Sequence, residues 1–125
     1  MPPIAASDSD LPKPSFGIGK IIQPGRYAHV EVAATPVNEA GKSHVVWAVR
    51  GGAIPDIHRD AVLAAAEEAL VNATAGGHLR CAVRLTIDGG SFHESMESAH
   101  AEAAALAVAD ALRRGNFLRQ DRNQG

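Results

Sequence analysis

Gly51-Gly52-Ala53-Ile54-Pro55 separates two segments with different hydrophobic periods, so its reading decides the fold. Before it, His44 to Arg50 alternates, with Val45, Trp47 and Val49 on one face, which predicts a strand. After it, Val62, Leu63, Ala66, Ala69, Leu70 and Ala73 recur at helical spacing, with Asp60, Glu67, Glu68 and Asn72 on the opposite side. Pro55 suits the first turn of that helix, where its missing N–H is no loss and its φ is already set. The paired glycines suit a sharp reversal that a Cβ would obstruct. The other reading of Gly51-Gly52 is an anion site at a helix N-terminus, although Pro55 removes one donor from it.

Upstream, Gly17 to Gln23 reads as a first strand and Pro24-Gly25 as a turn. Tyr27 to Thr35 is a half-buried strand, with Ala28, Val30, Val32 and Ala34 facing inward. Pro36 to Lys42, containing Asn38 and Gly41, reads as a hairpin loop returning into the third strand. Downstream, Gly76-Gly77 ends the first helical connection. Arg80 to Asp88 then alternates Cys81, Val83, Leu85 and Ile87 with Arg80, Ala82, Arg84 and Thr86. A second helix is predicted from near Ser95 to Arg114, or from Ser91 if Ser91 and Glu94 form a capping box, with Gly115 as its stop. Its inner stripe is expected to be Ala101, Ala104, Ala105, Val108 and Leu112, which leaves Ala99, Ala103 and Leu106 on another face. Each strand has one apolar face and each helix one apolar stripe. The expected fold is therefore α+β, a two-layer sandwich with a four-stranded sheet, two helices on one face and element order βββαβα.

The 125 residues fit one domain, expected over residues 16–118. Residues 1–15 are expected to be a flexible leader rich in proline, serine and aspartate, and residues 119–125 a basic polar tail. Hydrophobic content of 46% is ordinary for a folded domain, but aromatic residues make up only 4%, so the core must be built from alanine and branched aliphatic side chains. A net charge of −2 argues against a protein that grips nucleic acid mainly by bulk electrostatics, and leaves room for local patches. A single cysteine, Cys81, allows no internal disulfide and fits a reducing, cytoplasmic setting, where its place in an alternating strand suits a structural thiol. No apolar run approaches the roughly 20 residues of a membrane span, and Met1-Pro2-Pro3-Ile4 does not resemble a signal peptide.

Three motifs occur in a telling order. Gly25-Arg26-Tyr27-Ala28-His29-Val30 resembles the glycine-rich tip loop and following strand, Gly-Arg-Gly-Gln-Tyr-Gly-His-Val, of the fourth domain of elongation factor G, and is two residues shorter. Gly51-Gly52-Ala53-Ile54-Pro55 resembles that family's Gly-Gly-Val-Ile-Pro signature, and Gly90-Ser91-Phe92-His93-Glu94 is similar to its Gly-Ser-Tyr-His-Asp loop. The likeness extends from Gly17 to Phe117. It implies a left-handed βαβ crossover, an exception to the right-handed rule, and a stand-alone domain of this kind without the GTPase. No Gly-x-x-x-x-Gly-Lys-Ser/Thr loop occurs, so no GTP site is expected. It also implies contact with the ribosome or a structured RNA through the tip loops, which nominates His93, Arg26, Ser91, Glu94 and Gly25.

A loop histidine can stack on a base, donate to phosphate or change charge near neutrality; it can equally be an ordinary exposed side chain. Phe92 reads as an anchor for its loop more than as a stacking platform. If the second helix reached back to His93, then His93, Glu97 and His100 would share one face at a possible metal-ligand spacing, but no fourth ligand is evident. No nucleophile motif appears, so neither an enzyme nor a cofactor nor a metal is expected. The alternative to RNA binding is a protein-interaction or self-associating domain, favoured by Leu106 and the negative net charge.

Overall fold

A computed structural model of the chain describes residues 11–37 and 42–119. Residues 1–10 of the expected leader, 38–41 of the expected hairpin loop and 120–125 of the expected tail lie outside the described residues. Five strands and two helices follow in order: β1 Ser15–Gln23, β2 Arg26–Pro36, β3 His44–Trp47, α1 Arg59–Ala75, β4 Val83–Ser91, β5 Glu97–Ser98 and α2 His100–Arg114. A 3-10 turn, Asp56–His58, precedes α1. The fold is mixed α+β, a two-layer sandwich. The four main strands take the order β1-β2-β4-β3, and the two-residue β5 pairs with β2 as a fifth strand.

That order corrects the hairpin expected between the second and third strands. β3 pairs parallel with β4, not with β2, so β4 stands between them. The reason lies in apolar content. Val83, Leu85 and Ile87 of β4 are fully buried, and a strand of that kind gains most in the centre, with ladders on both sides. β3 is four residues long and only half-buried on its inner side, which suits an edge.

Two glycines in β1 set the distance between the layers. A Cβ on Gly17 would stand 2.2 Å from the carbonyl oxygen of Ala107, and one on Gly19 would stand 1.9 Å from that of Ala103. The backbone of α2 therefore rests directly on β1, and the buried stripe is Ala103, Ala104, Ala107, Val108, Ala111 and Leu112. Ala99 and Ala103, expected on another face, are in the core, whereas Ala101 and Ala105 are only half-buried. The alanine pattern fitted two faces equally well, and only the glycines of β1 select between them. Leu106 is exposed, as its position predicts.

On the other helix, Val62, Ala66 and Leu70 bury against the sheet, and Arg59 lies over the Trp47 ring at 5.6 Å. α2 ends by an unexpected route. Gly115 keeps an ordinary φ of −90° and is glycine for packing, since a Cβ would meet the Phe117 ring at 2.5 Å. The left-handed residue is Asn116, with φ of 63°. Phe117, fully buried, closes that end of the core.

The edge strand β1 is partly shielded. The amide of Ile18 donates to the Asp110 carboxylate at 3.0 Å, and Arg113 and Arg114 also pair with Asp110. The amide of Ile18 foremost, with the two guanidinium groups, holds the Asp110 carboxyl below the usual aspartate range. Cys81 is half-buried just before β4, and desolvation raises its thiol pKa against the opposing pull of Arg80.

Candidate functional site

The two motif loops interlock. Gly51 and Gly52 both take positive φ, 64° and 71°, and reverse the chain after β3. The reversal drives Ile54 into the core, where its side chain packs on Gly90; a Cβ there would stand 3.0 Å from Ile54 and 2.2 Å from the carbonyl oxygen of His29. Ile54 and Gly90 are thus complementary halves of one contact. Pro55 then opens the 3-10 turn rather than the α-helix, which starts four residues later at Arg59.

This packing sets His58 on His100, with ring centroids 5.0 Å apart and planes inclined by 13°. His100 is the first residue of α2 and is buried. Its Nε2 lies 2.9 Å from the Ser91 carbonyl, which can only accept, so that nitrogen carries the proton. Nδ1 therefore accepts from the Ser98 hydroxyl at 2.7 Å, and Ser98 Oγ in turn accepts from the His100 amide at 3.2 Å. Burial first, then the neighbouring His58 and His29, push the His100 pKa below its ordinary value, against the raising effect of the Ser91 carbonyl. On the other side of Ser91, its hydroxyl contacts Tyr27 Oη at 2.7 Å and His29 Nδ1 at 3.2 Å, and His29 Nε2 faces Glu31 at 3.1 Å.

Above this base opens a cleft of about 300 Å³, whose walls include Tyr27, Ile57, His58, Phe92, His93 and Met96. Phe92 is 43% exposed and Ile57 82%, so the rim offers apolar and aromatic surface to solvent. His93 is exposed and its ring is oriented from within its own loop: Nδ1 accepts from the Ser95 amide at 3.3 Å, which leaves the proton on Nε2. Such a cleft can hold a flat ring against Phe92 or His58 and donate a hydrogen bond from His93.

Of the five nominated residues, His93 and Glu94 line the cleft, and Ser91 lies beneath it. Gly25 and Arg26 do not line the cleft. Gly25 takes φ of 78° in the β1–β2 turn and its carbonyl accepts from the Glu97 amide, while the Arg26 guanidinium pairs with Glu102 and Gln23. The Ser91–Glu94 capping box does not form, because β4 runs on through Ser91 and α2 starts at His100. For the same reason His93, Glu97 and His100 share no helical face, and that metal spacing falls away. Sequence reading missed His58, His100, Ile57 and Tyr27 as parts of the site. Ile57 and His58 carry no local signal and reach the site behind the Ile54–Gly90 contact, whereas Tyr27 stood in the glycine-rich motif and His100 in the metal spacing, and only the fold joins them to the cleft.

The architecture defines the chain as a two-layer α+β domain with a cleft at one end of its sheet. No family model matches the chain. Among solved structures it is similar to the crystal structure of ttk003000868 from Thermus thermophilus, with 25% sequence identity and a TM-score of 0.66. The match covers 82% of this chain and 16% of that one, so the chain spans only a small part of that protein's length. No helix among the described residues is long and apolar enough to cross a membrane.

Proposed function

We propose that this domain is a non-enzymatic, translation-factor-like module that binds the ribosome or another structured RNA through the cleft at its tip. The carrying observation is that the loops resembling elongation factor G domain IV build one open, aromatic and imidazole-lined cleft with His93 exposed at its rim. Single-stranded bases are recognised by stacking and edge hydrogen bonds, and this lining supplies both without a large positive charge. Arg26, fixed by Glu102 beside β5, is a second, more distant contact to phosphate.

The test is binding of the purified domain to small ribosomal subunits and to a structured RNA. Phe92→Ala and His93→Ala are each expected to weaken binding about tenfold, the scale of one lost stacking or base contact, and His93→Ala with Arg26→Ala to abolish it. Absence of binding, or binding indifferent to all three changes, would sink the reading.

A second reading, a protein-interaction domain, is favoured by the exposed Phe16, Ile18 and Ile22 of β1 and by Leu106 of α2.

A further inference from the structure

Both helices pack on one face of the sheet, and among the described residues no element covers the other face. Across it the strand registers align side chains in rows. Phe16 pairs with Ala33, Ala33 with Thr86, and Thr86 with Val46, so one uncharged row crosses all four main strands. Phe16 is 65% exposed and Val46 37%, at the two ends of that row. The next row on one side is cationic: Arg84 pairs with Thr35 and His44. The next row on the other side is acidic. It holds Glu31, paired with Ile18, and the exposed Asp88, the extra residue where the β2–β4 register shifts.

A two-fold axis lying along the uncharged row keeps that row facing its own copy and exchanges the rows on either side. It therefore sets the cationic row of one chain over the acidic row of the other. Because Arg84 and Asp88 flank Thr86 at equal spacing on the same strand, each Arg84 falls opposite the partner's Asp88. An isologous interface must be self-complementary in this way, and few arrangements of charge satisfy it. β1, β2 and β4, nine to eleven residues long, and the four-residue β3, all about 4.8 Å apart, present roughly 500 Å² per copy. Closure would bury roughly 1,000 Å² in total, about the least a specific interface needs.

We propose that the open sheet face is the interface of a symmetric homodimer, in which Phe16 and Val46 meet their own copies and Arg84 pairs with Asp88 across the axis. This gives the protein-interaction reading a definite partner, a second copy of this chain, and is independent of RNA binding at the tip. The two sheets stack face to face about 10 Å apart, as in aligned sandwiches. The small area makes the dimer concentration-dependent.

Sedimentation equilibrium of the full chain, without RNA, from low to high micromolar concentration tests it. Native protein is expected to shift from monomer to dimer. Phe16→Asp, and Arg84→Asp or Asp88→Arg singly, are expected to weaken the dimer more than about tenfold through lost burial or like-charge contacts. Mixing Arg84→Asp protein with Asp88→Arg protein is expected to restore a heterodimer, because every crossing pair is again opposite in sign. Each variant's circular dichroism confirms that it is folded. A strict monomer at all concentrations, or a dimer unaffected by charge reversal, overturns the proposal whatever the tip is found to bind.

Discussion

His100 shows how a single residue couples folding to proton concentration. Its neutral form satisfies the Ser91 carbonyl and the Ser98 hydroxyl at once, while burial and two neighbouring imidazoles oppose a charge there. The folded pKa is lowered, so the unfolded chain binds the proton more readily. His100 therefore contributes full stability above the ordinary imidazole value of 6.5, and that contribution is lost as pH falls from there through the lower folded value. Urea denaturation should give a lower midpoint at mildly acid than at mildly alkaline pH. His100→Gln keeps a donor for Ser91 but cannot titrate; it should cost about 1–2 kcal/mol in the alkaline range and flatten the profile. An unchanged slope in the variant would assign the pH response to other histidines.

At the scale of elements, the approach of α2 to β1 is the tightest constraint in the fold. The Gly19 position leaves 1.9 Å between a would-be Cβ and the Ala103 carbonyl oxygen, less than any real contact. That neighbour is backbone and cannot rotate away, so Gly19→Ala must lift the helix. A loss of about 2–3 kcal/mol is expected, the upper part of the range for overpacked cores, seen as a fall in thermal midpoint; an unchanged midpoint would show that the layers are not in close contact. The alternation of β2 and β4 and the periodicity of α1 were legible in the sequence because each depends on a short-range pattern. The inner stripe of α2 was not, because its alanines match two faces and the choice belongs to a strand more than eighty residues away.

For the whole molecule, the proposed RNA binding has to be squared with a net charge of −2. If the cleft carries the affinity, few phosphates are neutralised. The logarithm of the binding constant should then fall with the logarithm of salt concentration with a slope of only about −1 to −2. A slope several times steeper would mean that a basic surface, and not the cleft, carries the binding. The dimer interface and the tip occupy different parts of the molecule, the open face and one end, so one assembly can present two clefts.

The amino-acid sequence by itself determined the α+β class, the strand and helix segments and the two loops that matter, because periodicity and turn chemistry are local. It also placed His93 on an exposed loop. Tertiary structure alone decided that β4 enters between β2 and β3, since strand order depends on which strand gains most from ladders along both of its edges. It alone brought Ile54 onto Gly90 and so His58 onto His100, and it paired Arg26 with Glu102 off the cleft wall. The charge rows of the open face exist only through registers between strands, and a register is a relation that neither strand carries alone.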